Sequence, residues 1–132
     1  MKILITGCAG FIGFHLTKLL IEDNNVEVFG IDNMNTYYDV DLKKSRLKIL
    51  KKNKNFKFEK IDITNENKLL NNFNRNTYSH VIHLAAQAGV RYSIENPETY
   101  VQNNLVGFFN ILNLSSKFKI KHFLFASTSS VY

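Results

Sequence analysis

The sequence has one cysteine, one proline and no tryptophan among its 132 residues, and it contains no long hydrophobic run. One cysteine cannot form an internal disulfide, so a disulfide-stabilised secreted fold is excluded and Cys8 fits a reducing compartment. No segment approaches the roughly 18 consecutive apolar residues that a membrane-spanning helix requires. The apolar start, Lys2–Thr6, is too short for a secretory signal and leads directly into glycines. A cytoplasmic protein with no membrane partner is therefore predicted.

Apolar residues are plentiful, and they make up 45% of the chain, with 11 phenylalanines and 6 tyrosines. Such a chain buries enough apolar surface to offset its ordering entropy, which excludes a disordered protein. The length supports one compact core and not two, so residues 1–132 are predicted to form one domain.

The charge is unbalanced, with 17 Lys and Arg against 11 Asp and Glu, a net charge of +6. Eight lysines fall between Lys43 and Lys60, which raises the question of nucleic-acid binding. The only aromatic residues in that segment, Phe56 and Phe58, alternate as in a strand and do not form a base-stacking surface. We therefore predict a solvated basic face and no nucleic-acid partner.

Apolar periodicity predicts a strict alternation of strands and helices. The predicted strands are 2–6, 26–31, 56–61, 80–84 and 121–126. The predicted helices are 11–22, 42–52, 66–73 and 97–116, the last one opened by Asn96 as N-cap and Pro97 in the first turn. Alternation of this kind produces a parallel sheet with right-handed crossovers. The predicted fold class is α/β, a Rossmann-like doubly wound parallel sheet of five strands.

Three glycines with a regular spacing separate the first strand from the first helix. Gly7 allows a tight turn, Gly10 lets backbone N–H groups approach a pyrophosphate, and Gly13 lets the helix pack closely on the sheet. The helix N-terminus adds partial positive charge. Glycine-rich turns also occur without a ligand, but a strand before, a helix after and an acid on the second strand favour dinucleotide binding.

The acid is Asp32, at the end of the second predicted strand. A carboxylate there accepts hydrogen bonds from the adenosine ribose hydroxyls and repels a 2′-phosphate, which favours NAD over NADP. The alternative is that Asp32 only caps a turn with Asn33. Asp62 repeats this position after the third strand, where it either meets the adenine edge or is an ordinary turn residue.

The chain resembles the extended short-chain dehydrogenase/reductases that act on nucleotide sugars, the NAD-dependent epimerase/dehydratase family, along its whole length. The motifs that carry the resemblance are Gly7-x-x-Gly10-x-x-Gly13, Asp32-Asn33, Asp62-Ile63, His83-Leu84-Ala85-Ala86-Gln87-Ala88-Gly89-Val90-Arg91, Asn103-Asn104-Leu105-Val106-Gly107 and Ala126-Ser127-Thr128-Ser129-Ser130-Val131-Tyr132. Within that family, Tyr37-Tyr38-Asp39-Val40, Leu42-Lys43, Arg46 and the segment 86–93 are most similar to the UDP-glucuronate 4-epimerases.

The resemblance implies a set of functional residues around NAD and a UDP-hexuronic acid. The implied cofactor-binding residues are Gly7, Gly10, Phe11, Ile12, Gly13, Asp32, Asn33, Asn35, Tyr37, Asp62, Ile63, Leu84, Ala85, Ala86, Gln87 and Asn103. The catalytic residue is Thr128, which hydrogen-bonds the sugar hydroxyl that is oxidised. Arg91, Ser129 and Ser130 are the implied substrate-binding residues. No metal site is predicted.

Three features have simpler interpretations that we favour. His83 is predicted to be a core or strand-end histidine instead of an acid/base group. Cys8 is predicted to be a small residue in a tight turn and not a nucleophile, although a helix N-terminus would lower its pKa. The apolar residues of the 97–116 helix are predicted to be mainly core, and in this family the helix also carries a homodimer interface.

Family members continue into a Tyr-x-x-x-Lys pair, a further strand and a smaller substrate-binding domain, none of which lies in residues 1–132. Tyr132 does not replace the catalytic tyrosine, since it matches the Ser-Val-Tyr turn of the family. We therefore expect an incomplete NAD-binding Rossmann domain that is inactive alone. Two alternatives stay open, a non-catalytic nucleotide-binding module and a sugar 4,6-dehydratase. The dehydratase reaction needs an Asp-Glu pair where this chain has Ser129-Ser130.

Overall fold

Strands and helices alternate along residues 1–128, which are the residues that the computed structural model describes. The strands are β1 (Lys2–Thr6), β2 (Glu27–Asp32), β3 (Phe56–Lys60), β4 (His80–His83) and β5 (His122–Phe125). The α-helices are α1 (Phe11–Leu20), α2 (Val40–Leu50), α3 (Glu66–Arg75), α4 (Val90–Glu95), α5 (Pro97–Tyr100) and α6 (Phe108–Lys117), and a π-helical segment, Val101–Gly107, joins α5 to α6. All strand pairs are parallel, in the order β3-β2-β1-β4-β5. The predicted fold class is confirmed.

The side chains of β1 alternate between two hydrophobic clusters, one on each face of the sheet. Ile3 and Ile5 belong to the cluster that α1 and α2 cover, whereas Leu4 belongs to the cluster that α3 and α6 cover. Because both faces are covered, a strand at the centre of the sheet is apolar at successive positions. This is the doubly wound arrangement, and it leaves the carboxyl edge of the sheet for a site.

Two helical segments differ from the prediction. The helix α4 was not predicted, because none of its residues is buried and its apolar residues Val90 and Ile94 are exposed. The long predicted helix exists from Pro97 to Lys117, but a π-helical segment interrupts it. Apolar periodicity reports burial, so it detects neither an unburied helix nor a local change of helical pitch.

The start of α5 is only partly as predicted. Pro97 occupies the first turn, where its missing N–H costs nothing, but the Asn96 side chain makes no capping hydrogen bond. Asn96 instead ends α4, where its N–H donates to Tyr92 O at 2.8 Å. The short interval between the two helices explains why it does not act as a dedicated N-cap. Within residues 1–128, no helix is both long enough and apolar enough to cross a membrane.

Candidate functional site

Five segments that sequence reasoning singled out follow the carboxyl ends of the five parallel strands, at one edge of the sheet. The segments begin at Gly7 after β1, at Asp32 at the end of β2, at Asp62 after β3 and at Leu84 after β4. The fifth segment begins at Ala126 after β5 and contains Thr128. In an open parallel sheet, ligands bind at this edge where the strand order reverses. Here the reversal lies between β1 and β4, since β2 and β3 follow on one side of β1 and β4 and β5 on the other.

The glycine-rich turn opens directly into the N-terminus of α1. Gly7 has a φ of 71°, a left-handed conformation that favours glycine, and its N–H donates to Ile31 O at 2.8 Å. Gly10 ends the turn with a hydrogen bond from its N–H to Gly7 O at 3.0 Å. The first N–H groups of a helix have no partner inside it, so those of Phe11 and Ile12 are available to an anion. Both side chains are exposed.

Gly13 brings α1 into close contact with the turn that precedes it. A Cβ on Gly13 would lie 2.9 Å from the Cys8 Cα and closer still to the Gly7 carbonyl oxygen. The predicted role of the third glycine, close packing, therefore has a direct steric basis.

Cys8 is buried completely beneath this turn. Burial, assisted by the negative charge of Asp32, raises the pKa of its thiol far above the usual range. The expected lowering by the helix N-terminus is therefore wrong, whereas the interpretation of Cys8 as a packing residue is confirmed.

Asp32 is buried and already has three donors around its carboxylate. Its Oδ2 accepts from the Ala9 N–H at 3.3 Å, and its Oδ1 accepts from the Met34 N–H at 2.8 Å. The third donor is the Lys43 Nζ, 3.5 Å from Oδ1. A carboxylate has about four acceptor positions, so one is left for a ligand hydroxyl. The bond from the Met34 N–H is the turn cap that the alternative interpretation of Asp32 required, and the binding of a ribose hydroxyl stays a prediction.

Lys43 corrects the interpretation of the basic segment as a uniformly solvated face. The buried residues of α2 are Lys43, Leu47 and Leu50, which recur at helical spacing. Arg46 also points inward, and its guanidinium donates to Ala9 O at 3.1 Å. The position of Lys43 four residues before Leu47 is a signal that could have identified it.

Asp62 joins the ends of β2 and β3. Its Oδ1 accepts from the N–H and the hydroxyl of Thr64, at 2.9 and 2.7 Å, and its Oδ2 accepts from the Asn33 side chain at 2.9 Å. Partial burial opposes the charged form, but these hydrogen bonds outweigh it and lower the pKa of the Asp62 carboxyl. Asp62 is therefore an anion that orders the loop beside Asp32.

Ile63 faces the core and not the edge of the sheet. Its side chain is buried and fills the space above Gly107, where a Cβ would lie 2.5 Å from the Ile63 Cδ1. Its carbonyl oxygen accepts from the buried Asn110 side chain at 3.0 Å. A contact between Ile63 and adenine stays a prediction, and it can involve only the backbone of this residue.

Thr6 anchors the loop that begins at Leu84. The Thr6 Oγ1 accepts from the N–H groups of Leu84 and Ala85, at 3.1 and 3.0 Å, and lies 2.8 Å from His83 Nδ1. A hydroxyl has two acceptor sites and one hydrogen, so its hydrogen points to His83 Nδ1 and the neutral ring carries its proton on Nε2. Burial lowers the pKa of His83 to about 4. The predicted core role of His83 is confirmed.

Acid should destabilise the protein through His83. Its pKa is about 4 in the folded chain against an ordinary 6.5, so the unfolded chain binds the proton between these values and stability falls as the pH drops from 6.5 to 4. We expect a loss of about 3 kcal/mol from this residue, measured as the difference in unfolding free energy between wild type and His83→Gln across that range. The exposed His122→Gln serves as control. Parallel pH profiles for wild type and His83→Gln would contradict the prediction.

The helices α5 and α6 and the π-helical segment between them form one helical run, Pro97–Lys117. Asn104, and not the predicted Asn103, connects this helical run with the loop after β4. The Asn104 amide accepts from the Gln87 N–H at 2.7 Å and donates to Gln87 O at 2.9 Å, while Asn103 donates to Thr99 O within its own helix. Successive helical residues point in directions about 100° apart, so only one of two adjacent asparagines faces the loop. The side chain of Gln87 is buried and donates to Ala88 O.

Tyr37 brings together the loops after β2 and β4, a contact that sequence reasoning missed. Its ring lies 4.8 Å from that of Tyr92, and its hydroxyl occupies the space next to Gly89, which has a φ of 102°. A tyrosine four residues after the turn residue Asn33 is no signal for a contact this distant in sequence. Arg91 lies exposed on α4, and Asn35 bonds Lys43, so their predicted roles toward ligands stay predictions.

Thr128 is exposed and follows β5 at the same edge. Ser129 and Ser130, the other predicted residues of this turn, lie outside the described residues. Ala86 is exposed in the loop after β4, consistent with its predicted place beside the ligand.

The sequence pattern of the GDP-mannose 4,6 dehydratase family matches residues 4–132. The chain belongs to this family. This chain is similar to Protein CapI of Staphylococcus aureus, with 53% identity over 132 residues. The match covers 100% of this chain and 39% of CapI. A UDP-glucuronate 4-epimerase of Thermodesulfobacterium geofontis is 50% identical over 129 residues, 98% of this chain and 40% of that protein. The resemblance to NAD-dependent epimerases and dehydratases is confirmed.

A solved structure shares the fold of this family member. The crystal structure of UDP-glucuronic acid 4-epimerase from Bacillus cereus, in complex with UDP-glucuronic acid and NAD, matches with a TM-score of 0.88 and 38% identity. The match covers 100% of this chain and 41% of that one. This family member thus spans about 40% of the length of the relatives that it matches.

Proposed function

We propose that this family member is the NAD-binding part of a UDP-glucuronate 4-epimerase, which interconverts UDP-glucuronate and UDP-galacturonate through a 4-keto sugar. The observation that carries the proposal is the juxtaposition of the open α1 N-terminus, the glycine turn and the Asp32 carboxylate at one edge of the sheet. The similarity to UDP-glucuronate 4-epimerases, one of them solved with NAD, supports the choice of substrate.

The chemistry of the residues at this edge suits NAD, because backbone donors at the start of α1 lie beside a carboxylate. The N–H groups of Phe11 and Ile12 bind the pyrophosphate, since the turn before them has no side chain at Gly10 to obstruct it. Asp32 binds an adenosine ribose hydroxyl through its remaining acceptor position. When bound, NAD supplies the acceptor and donor of hydride in such a reaction.

Toward the sugar, the proposal assigns a role to the segment after β5. Thr128 orients the C4 hydroxyl through a hydrogen bond, so that a general base can remove its proton. Arg91, Ser129 and Ser130 complete the proposed sugar site. The general base itself is proposed to be the tyrosine of the Tyr-x-x-x-Lys pair in a complete enzyme.

An apolar stripe on the helical run supports the proposal that the complete enzyme is a homodimer through the 97–116 helix. Its exposed members are Val101, Leu105, Phe109 and Leu112. The interpretation of this helix as mainly core holds for Ile111 and Leu114, which are buried, but is wrong for Phe109 and Leu112. A stripe at this spacing forms one face of a helix, which a second copy would cover.

The cytoplasmic location stays a prediction that rests on the single cysteine.

The experiment that tests the cofactor is calorimetric titration of the chain with NAD and with NADP. We expect tighter binding of NAD, because Asp32 accepts a hydrogen bond from the ribose and repels a 2′-phosphate. Asp32→Ala should weaken NAD binding about tenfold or more, the loss of one charge-assisted hydrogen bond. Asp41→Ala, which removes an exposed carboxylate from the same helix that carries Lys43, is the matched control. Equal affinity for both nucleotides in the unaltered chain would refute the role of Asp32.

A further inference from the structure

A buried ammonium group lies beside the carboxylate that distinguishes the two cofactors. Lys43 and Asp32 are 5% and 7% exposed, and Nζ lies 3.5 Å from Asp32 Oδ1. The other contacts of Nζ are to Asn35, 3.0 Å to its Oδ1 and 3.3 Å to its carbonyl oxygen. An ammonium has three donors, and these three acceptors use them all. The ammonium group is therefore fully compensated and held away from water, while the carboxylate keeps one acceptor position.

We propose that Lys43 is a second specificity residue for the adenosine end of the cofactor and constitutes a latent phosphate site that Asp32 keeps closed. The inference rests on the proposed function, because it concerns the same cofactor. With Asp32 present, the lysine charge is neutralised and the surface offered to the ribose is a carboxylate. Without that carboxylate, Lys43 is a buried cation whose best partner is an anion in the vacated space.

The chemistry of that space matches the 2′-phosphate of NADP. A buried charge without a partner is strongly unfavourable, so a variant that lacks Asp32 gains from any anion that reaches Nζ. The 2′-phosphate occupies the position of the hydroxyl that Asp32 binds, and charge-assisted hydrogen bonds to phosphate are short and strong. Lys43 also binds both oxygens of Asn35, so it stays oriented when Asp32 is removed.

A neighbouring lysine provides a matched control. Lys44 lies next to Lys43 in the sequence, but its side chain is exposed and pairs with the exposed Asp41 at 3.0 Å. Both lysines carry the same charge on the same helix, so they differ in burial and in contact with Asp32. An effect of general charge would depend on both, whereas the proposed site depends on Lys43 alone.

The test compares NADP and NAD affinities of Asp32→Ser, Asp32→Ser/Lys43→Met and Asp32→Ser/Lys44→Met by calorimetry. We expect Asp32→Ser to bind NADP about tenfold to a hundredfold more tightly than wild type does, the range of a hydrogen bond to a charged group. The gain should vanish with Lys43→Met and persist with Lys44→Met. No gain in Asp32→Ser, or a gain that Lys43→Met leaves in place, overturns the proposal.

Loss of one partner of a buried pair can impair folding, so a second variant and a second measurement accompany the first. Asp32→Asn keeps the shape and an acceptor oxygen, and thermal unfolding with each nucleotide reports binding even for a destabilised chain. NADP should raise the melting temperature of both single variants more than NAD does. The titration of wild type with NAD tests the proposed function. The Lys43 proposal is tested separately, because it depends only on the difference in NADP affinity between variants with and without Lys43.

Discussion

The chain incubated with NAD and UDP-glucuronate should form no detectable UDP-galacturonate. Oxidation at C4 requires a base for the hydroxyl proton, and a threonine hydroxyl such as that of Thr128 does not take up a proton by itself at neutral pH. His83 does not supply the base, because it is buried, its Nδ1 is engaged by Thr6 and its pKa is lowered to about 4. A missing general base alone costs a factor of roughly 100 to 10,000 in rate.

The matched experiment joins the C-terminal part of a family relative after Tyr132. This fusion should convert UDP-glucuronate, and Thr128→Val in the fusion should lower turnover about tenfold or more through the lost hydrogen bond. Thr77→Val, an exposed position in the loop that leads into the amino end of β4 and so lies at the opposite edge of the sheet, is the control. Formation of UDP-galacturonate by the unextended chain would show that a residue within it acts as the base.

Alanine at Gly13 should mainly lower stability, whereas alanine at Gly10 should mainly lower NAD affinity. Gly13→Ala forces a methyl group against backbone atoms, 2.9 Å from the Cys8 Cα, and backbone cannot move aside as a flexible side chain does. We expect the free energy of unfolding to fall by about 3 kcal/mol, at the upper end for overpacking. Chemical denaturation followed by circular dichroism measures this loss.

Gly10→Ala makes a milder contact, because its methyl group would lie 3.2 Å from Gly7 O, a tight distance that a shift of a few tenths of an ångström relieves, and the Gly10 φ of −69° suits any residue. The free energy of unfolding should therefore fall by less than in Gly13→Ala. NAD affinity should fall about tenfold or more, because the methyl group enters the surface that the pyrophosphate approaches. Unchanged stability of Gly13→Ala would contradict the packing role of Gly13. Unchanged NAD affinity of Gly10→Ala would contradict the proposed approach of the pyrophosphate to Gly10.

The elements that sequence reasoning predicted well are those that local patterns specify. Continuous apolar residues in β1 predict a strand covered on both faces, and Gly7 stands where the backbone adopts a positive φ. Asp32 was identified because its position after a strand is a property of the sequence alone. Helix ends differ by a few residues, and α2 begins at Val40 instead of the predicted residue 42 because the Asp39 side chain caps it with a hydrogen bond from the Asp41 N–H.

Contacts between distant segments were beyond prediction. The spacing to Leu47 places Lys43 on the inner face of α2, but only the packing of α2 on the sheet brings it to Asp32. The choice of Asn104 over Asn103 depends on the rotation of a helix against a loop, which no local pattern records.

Local sequence specifies the five strands, the glycine turn and the acid at the end of β2, because backbone sterics and apolar periodicity act over a few residues. The tertiary structure alone decided which polar side chains are buried and paired. It turned His83 toward Thr6 and Lys43 toward Asp32, contacts that span 77 and 11 residues of sequence. Burial of a polar group costs free energy unless it gains a hydrogen-bond partner, and for His83 and Lys43 that partner exists only once the chain has folded.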